Sequence, residues 1–359
     1  MEQRAKVNPL KDDFSGSTSA SIVSIRHISE SVQATPYGTG LINQTCKIDT
    51  PSGSFILQKI NTDVFQFPER IDHNLSLIRS HLHNTFPEYL FAGPVLTLDG
   101  KLSVTLTHDI FRLQPFVAGS HTVDAVSFEN QAYQAAKQFA RFGRLLKDLK
   151  PADFSYPLEN FHNLDLRIEQ FNKALQEATE ERITSAGKEI EKVKNNLDIA
   201  LRYTQIVSGN LIPLRIIHHD TKISNVLFDT NGTGICVIDL DTVMPGYFIS
   251  DVGDMMRTYL SQATEEEPDF DKITLRHEIF NQIYKGYMEE MGGELTAVEE
   301  ELFVYSGKFM IYMQAVRFLT DFLNGDRYYP IKYPLHNLMR AGNQLVLLER
   351  YIEMESVFL

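Results

Sequence analysis

The sequence predicts an α+β protein of two lobes, a small β-rich N-terminal one and a larger, mainly helical C-terminal one. Three observations predict it. Residues 29–115 read as short β-type runs broken by Gly and Pro, the apolar spacing beyond residue 119 turns helical, and a brief return to strand at residues 215–238 brackets a polar loop. At about 150 residues per domain, the 359 residues suffice for two such units. The reading divides the chain into an N-terminal lobe at 1–112, a hinge at 113–119 and a C-terminal lobe at 120–359.

Within the first lobe, residues 45–50, 54–60, 95–97 and 101–106 are expected strands, with Asp99-Gly100 joining the last two as a hairpin. One helix is expected over 68–83, where Ile71, Leu75, Ile78 and Leu82 recur at spacings of three and four. The texture changes after Leu113-Gln114-Pro115-Phe116. Helices are then expected over 130–149, over the long charged stretch 164–206, and over 299–324 and 337–356, with short strands at 215–218 and 234–238. The acidic run Glu265-Glu266-Glu267-Pro268-Asp269 is expected to serve solvation.

Composition narrows the partners. With 47 acidic and 34 basic side chains the net charge is −13, and no basic tract is present, which argues against nucleic acid and for a small-molecule substrate. A polyanionic substrate would need a local positive site or a recruited cation. No apolar run reaches the roughly 18 residues a membrane span requires, so no membrane partner is expected. The first 20 residues lack the apolar core of a signal peptide, and the two cysteines, Cys46 and Cys236, lie in separate apolar runs; a reduced, cytoplasmic setting is expected. A monomer is the expected state, a dimer the alternative.

The most informative stretch is His218-His219-Asp220-Thr221-Lys222-Ile223-Ser224-Asn225, with Asp239 fourteen residues after Asn225 at the end of an apolar run. This is the spacing H-x-D-x-K-x-x-N, strand, Asp, of kinase-type phosphoryl transfer. Any one of these residues could close an Asx turn or cap a helix, but five at this spacing between β-runs point to chemistry. Asp220 would accept or orient the proton of the attacking hydroxyl. Lys222 would reach the transferring phosphoryl group. Asn225 and Asp239 offer oxygen ligands suited to Mg²⁺, which supplies the charge that an acidic protein lacks toward ATP. His218 is expected to hold the loop by hydrogen bonds, and His219 has no assigned role. Asp241 is a second metal or substrate candidate. Asp251-Val252-Gly253 imitates the D-F-G of protein kinases but lies 31 residues after Asp220, against 19 for Asp239; Asp251 is therefore read as an acid that bonds the catalytic loop from a helix N-terminus.

Upstream, Tyr37-Gly38-Thr39-Gly40-Leu41-Ile42-Asn43 precedes a strand, and its glycines allow backbone to approach phosphates, so Gly38, Thr39 and Gly40 form a candidate ATP-covering loop. In Phe55-Ile56-Leu57-Gln58-Lys59, Gln58 stands where kinases place the phosphate-binding lysine of the third strand, and Lys59 faces the opposite side. Both readings stay open. The i, i+2 pair His81 and His83 diverges on a helix and is not read as a metal site.

These segments, with Val237 through Gly246 and the later run from Arg317 to Asp326 followed by Lys332-Tyr333-Pro334 and His336-Asn337, resemble the aminoglycoside phosphotransferase and choline kinase superfamily, and within it the N-acetylhexosamine 1-kinases, over residues 35–345. The resemblance implies a bilobal protein-kinase-like fold and Mg²⁺-dependent transfer of the ATP γ-phosphoryl group to the C1 hydroxyl of N-acetylglucosamine or N-acetylgalactosamine. It implies that Asp220 is the base, that Asn225 and Asp239 bind Mg²⁺, and that the hinge, with Gln114 and Phe116, holds adenine. It implies further that Arg317 and Tyr328 face the sugar, with Asn43 a further contact. Thr39, Leu41 and Arg327 depart from the group's pattern, which bears on the sugar rather than the reaction. Aminoglycoside, choline or homoserine kinases are the alternatives of the same chemistry, and a non-catalytic nucleotide-binding module is the alternative of another class.

Overall fold

Alternation of apolar and polar side chains over residues 44–59 builds a sheet with one greasy and one polar face. The computed structural model describes residues 33–38, 42–51 and 53–358. Strands β1 (Gln33–Pro36), β2 (Gln44–Thr50), β3 (Gly53–Lys59), β4 (Val104–Leu106) and β5 (Asp109–Pro115) form one antiparallel sheet in the order β1-β2-β3-β5-β4. Ile48, Leu57, Phe111 and Leu113 make a small core on one face. The register Thr45–Gln58–Arg112 runs across the other. Thr39, Gly40 and Leu41 of the glycine loop lie outside the described residues.

The expected hairpin at residues 95–106 is corrected. Asp99-Gly100 is a turn, with Gly100 at φ +81°, but residues 95–97 form no strand. The Thr97 hydroxyl donates to Asp99 at 2.6 Å and accepts from the Lys101 N–H at 2.8 Å. These local bonds replace a ladder. Only Val104–Leu106 is a strand there, and it pairs instead with β5, around Thr107 at φ +58°.

Helix α1 (Pro68–Thr85) starts with Pro68 in its first turn and buries Ile71, Leu75, Ile78 and Leu82, as their spacing predicts. These side chains belong to the core of the helical lobe, not to that of the sheet. Asn74 of α1 donates to the carbonyls of Ser155 and Val243 at 2.9 Å each.

The remaining helices are α2 (Glu129–Leu145), α3 (Leu164–Glu177), α4 (Glu180–Ser185), α5 (Gly187–Asn195), α6 (Leu197–Ser208), α7 (Phe248–Tyr259), α8 (His277–Met291), α9 (Ala297–Glu301), α10 (Phe303–Leu323) and α11 (His336–Met354). The helical stretch 164–206 is four helices, because Thr179 accepts the Arg182 N–H and starts a new turn, and further breaks fall at Ala186 and Asn196. Short strands β6 (Arg215–Ile217) and β9 (Met244–Gly246) pair, as do β7 (Val226–Phe228) and β8 (Gly234–Val237). Helix α10 is buried on nearly every side and packs on α3, α7 and α11. Gly253 permits its close crossing with α7: a Cβ there would stand 2.3 Å from the Ser306 carbonyl oxygen. Glycine in the Asp-Val-Gly triplet therefore serves packing.

Cys46 and Cys236 are free and buried. Among the described residues no helix is long and apolar enough to cross a membrane. The acidic run is also corrected: Glu266 accepts from Arg340 and from Lys332 (2.8 Å) and His336 (3.0 Å), and Glu265 pairs with Arg257 at 3.1 Å. It straps the loop to α11 instead of solvating it.

Candidate active site

The catalytic loop leaves β6 at Ile217 and turns through His219 at φ +66°, a region non-glycine residues seldom occupy. Buried acids of α7 hold that turn. Asp251 in the first turn of α7 accepts the N–H groups of His218 (2.9 Å) and His219 (2.7 Å), and Asp254 accepts that of Thr221 (2.9 Å). Burial pushes the Asp251 carboxyl up to about 6. Tyr259 donates to the Thr221 carbonyl at 2.6 Å. The Asp220 N–H lies 3.4 Å from His218 Nδ1 and His218 Nε2 lies 2.9 Å from the Ile238 carbonyl oxygen, so both ring nitrogens meet backbone. His218 is thus the loop-holding hydrogen-bonder its position predicts.

Asp220 and Lys222 meet at 2.8 Å. Burial works against ionisation of Asp220, but the Lys222 ammonium outweighs it and holds the carboxyl below its ordinary range. The Asn225 amide donates to the Asp220 carbonyl at 2.9 Å, and the Ile238 N–H donates to the Asn225 carbonyl at 2.9 Å. That bond brings Asp239, itself at φ +60°, to the same end of the β7–β8 hairpin. Asp239 has no hydrogen-bond or ion-pair partner among the described residues; burial first, and Asp241 second, push its carboxyl up to about 6. An unpartnered carboxylate and a side-chain amide oxygen, brought to the same end of one hairpin, are hard-oxygen donors of the kind Mg²⁺ takes. The residues fit the metal.

Asp241 is spent otherwise. It pairs with Arg112, whose guanidinium is fully buried, and accepts from the Asn43 amide at 2.8 Å. The other end of Asn43 accepts the Asn61 N–H at 3.0 Å, so both ends are used within the protein. Arg112 also donates to Gln58 Oε1 at 2.8 and 3.0 Å, and Gln114 donates to the same oxygen at 3.0 Å. Gln58 therefore lies on the inner polar face, while Lys59 turns away to Asp109 at 2.9 Å. Arg112 is the functional candidate that the sequence reading missed. It lies on β5, a strand that reading did not recognise, so the face it occupies had no signal. Gly38, at φ +81°, ends the described part of the glycine loop. Phe116 meets Tyr37 edge-on at 5.7 Å and carries the Lys47 ammonium 4.7 Å above its ring.

Beside the loop lies a cavity of about 760 Å³ between the start of α1, residues 157–161, α3, α10 and residues 327–329. Arg317 and Tyr328 both line it. Phe161 connects it to the catalytic loop: its ring stacks on His162 at 4.3 Å, and His162 lies 5.3 Å from the ring of His219, the neighbour of Asp220. Burial lowers both imidazoles, His219 to about 3, so both are neutral. Residues 325–329 are held by Asp321 of α10, which accepts the N–H groups of Arg327, Tyr328 and Tyr329 at 2.9 Å each, and the Asn337 amide at 3.0 Å. Asp321 and Asn337, read only as parts of a family motif, thus shape the cavity wall.

A strand-rich lobe over a helical one, with an Asp-Lys pair and an oxygen-ligand pair at the cleft, defines a kinase-fold phosphotransferase. A family model described as the phosphotransferase enzyme family (APH) matches residues 33–281, and the chain belongs to that family. Solved structures of the same fold include a microcompartment-associated aminopropanol kinase (17% identity, TM-score 0.64, covering 94% of this chain and 98% of that one). An aminoglycoside phosphotransferase from Alicyclobacillus acidocaldarius matches at 11% identity and TM-score 0.63, covering 98% of each chain. Spectinomycin phosphotransferase in complex with ADP and spectinomycin matches at 16% and 0.58, covering 91% and 93%. At these identities the likeness is one of fold.

Proposed function

We propose that the protein is an ATP- and Mg²⁺-dependent kinase that phosphorylates the C1 hydroxyl of an N-acetylhexosamine, N-acetylglucosamine or N-acetylgalactosamine, to give the sugar 1-phosphate. One observation carries the choice of acceptor: the cavity whose wall residue Phe161 lies 6.4 Å from the ring of His219, the neighbour of Asp220, contains arginines without carboxylate partners among the described residues. Choline, aminopropanol and aminoglycosides are cations, and a guanidinium-lined cavity repels them. A sugar offers many hydroxyl acceptors to guanidinium donors.

In this reading Asp220 orients the anomeric hydroxyl and takes its proton as the oxygen bonds to the γ-phosphorus and the bond to the leaving ADP oxygen breaks. An anomeric hydroxyl is more acidic than an ordinary alcohol, so a carboxylate of low basicity suffices late in a loose transition state. Lys222, next to Asp220, faces the charge on the transferring group. Asn225 and Asp239 would hold Mg²⁺, which would supply positive charge toward the phosphate groups. Arg112, through Gln58 and Asp241, holds the inner face of the sheet where the third-strand lysine is absent, with residues 113–119 as hinge and Gln114 and Phe116 toward adenine. Two free, buried cysteines suit a reducing, cytoplasmic setting.

The test is an ADP-release assay over N-acetylhexosamines, choline, homoserine and aminoglycosides. Turnover of an N-acetylhexosamine is expected. Turnover of only a cationic acceptor, or nucleotide binding without any turnover, contradicts the proposal.

A further inference from the structure

The charges of the acceptor-side cavity do not balance. Of its cations, Arg70 pairs with Glu159 at 2.7 Å and Lys173 reaches Glu177 at 3.8 Å. Asp321, the remaining acid on the wall, is engaged by four N–H donors. Arg167, Arg317 and Arg327 are left without a carboxylate within ion-pair distance among the described residues. Arg167 donates only to neutral oxygens: Gln170 Oε1 at 2.9 Å and the carbonyls of Asn160 and Phe161 at 3.0 and 3.1 Å. Its buried Nε has no partner. Arg317 donates to Gln314 at 3.2 Å and sits 5.6 Å from the rings of both Phe161 and Tyr329.

This arrangement is costly for the empty protein. Partly desolvated guanidinium groups repel one another, and both burial and the Arg317 charge disfavour the charged form of Arg167. The chain has 13 more acids than bases, yet none is placed to neutralise them. The neighbouring imidazoles of His162 and His219 are neutral and neither add to nor offset the charge. Hydroxyl groups alone would be served by one arginine and neutral donors. A pair of planar forks without acids matches a carboxylate or phosphate, each of which accepts bidentate hydrogen bonds.

We infer that the acceptor carries an anionic group, carboxylate or phosphate, besides the hydroxyl it presents to Asp220, and that Arg167 and Arg317, with Arg327 at the mouth, bind it. The inference rests on the reading of this cavity as the acceptor site of a sugar kinase. It narrows the acceptor from a neutral hexosamine to a charged derivative of one.

The experiment compares, with the full chain and Mg-ATP, kcat/KM for acceptors that differ in charge: N-acetylglucosamine, its 6-phosphate, and the corresponding 6-carboxylate. At least one anionic acceptor should exceed the neutral sugar by about tenfold or more, because a site built for a polar group discriminates against the analogue lacking it. Which one does so separates phosphate from carboxylate. Arg167→Gln should cut the anionic-to-neutral ratio about tenfold, and Arg327→Ala by a smaller factor. A ratio taken within one variant cancels any loss of folded enzyme. If the neutral sugar turns over and both ratios are one or below, the inference falls and the proposed function stands. If the anionic sugar turns over and the neutral one does not, the inference stands and the acceptor of the proposed function is corrected. If no sugar turns over, both fall.

Discussion

At the catalytic loop a buried carboxylate of α7, Asp251, accepts the N–H groups of His218 and His219; at the cavity wall a buried carboxylate of α10, Asp321, accepts those of Arg327, Tyr328 and Tyr329. The device is the same, a helix-borne acid gathering backbone donors that would otherwise lack partners. The outcome differs. The catalytic loop has a second acid, Asp254, tied to Arg257, and the side chains on either side of Asp220 are buried. The cavity loop also has a second acid, Asp326, held by Arg182 at 2.8 Å and Asn337 at 3.0 Å, yet it leaves Tyr328 69% exposed. In the proposed function, rigid backbone at the first place would fix the geometry of phosphoryl transfer. A pinned loop with exposed side chains at the second would, in the same proposal, let Arg327 and Tyr328 set the acceptor without disturbing the chemistry.

The comparison can be broken most sharply at Asp220. Asp220→Ala should lower kcat by about 10³ or more while nucleotide binding, followed by calorimetry, survives; retained turnover would end the assignment. Asp239→Ala should remove the Mg²⁺ dependence of nucleotide affinity, so an unchanged Mg²⁺ titration refutes its ligand role. Asp251→Ala should cost on the order of 3 kcal/mol by denaturant titration, because two N–H groups are orphaned in the interior, and should depress kcat for every acceptor. Asp321→Ala should cost about 2 kcal/mol and act on the acceptor instead: KM for the sugar rises while KM for ATP does not follow. Equal effects of these two variants on both substrates would erase the distinction.

The smallest effect concerns the strap at Glu266. Burial works against its ionisation, but hydrogen bonds from Lys332 and Arg340 outweigh it and hold the carboxyl down at about 2, against an ordinary 4.5. A carboxyl lowered by folding contributes stability that is present above 4.5 and lost as pH falls toward 2. Since about a third of the Glu266 side chain is exposed, solvent screens the effect. Glu266→Gln should flatten the acid limb of stability, measured as denaturation midpoint against pH. An unchanged limb would show that the strap is not held by charge.

What the sequence revealed follows from how locally each feature is encoded. Asp220, Lys222, Asn225 and Asp239 lie within twenty residues, on the loop after β6 and at the ends of the hairpin that follows it, so spacing alone brought the candidate set together. The glycine in Asp251-Val252-Gly253 imitates a metal motif, and separation along the chain sufficed to reject it. Arg112 was not legible, because Thr97 and Asp99 draw local hydrogen bonds that moved the real strand pairing to β4 and β5. Nor was the cavity, whose charge depends on α1, α3, α10 and the loop after it coming together from distant parts of the chain. The acidic run 265–269 misled for a related reason: its partners Lys332, His336 and Arg340 lie far away in sequence.

The central claim is that this cleft phosphorylates an anomeric oxygen. It is tested most directly by ³¹P NMR of the product formed from ATP and an N-acetylhexosamine, charged or neutral. The account predicts a phosphate coupled to the C1 proton of the sugar and no such signal with Asp220→Ala. A phosphate on any other hydroxyl, or phosphorylation confined to a cationic acceptor, would contradict it.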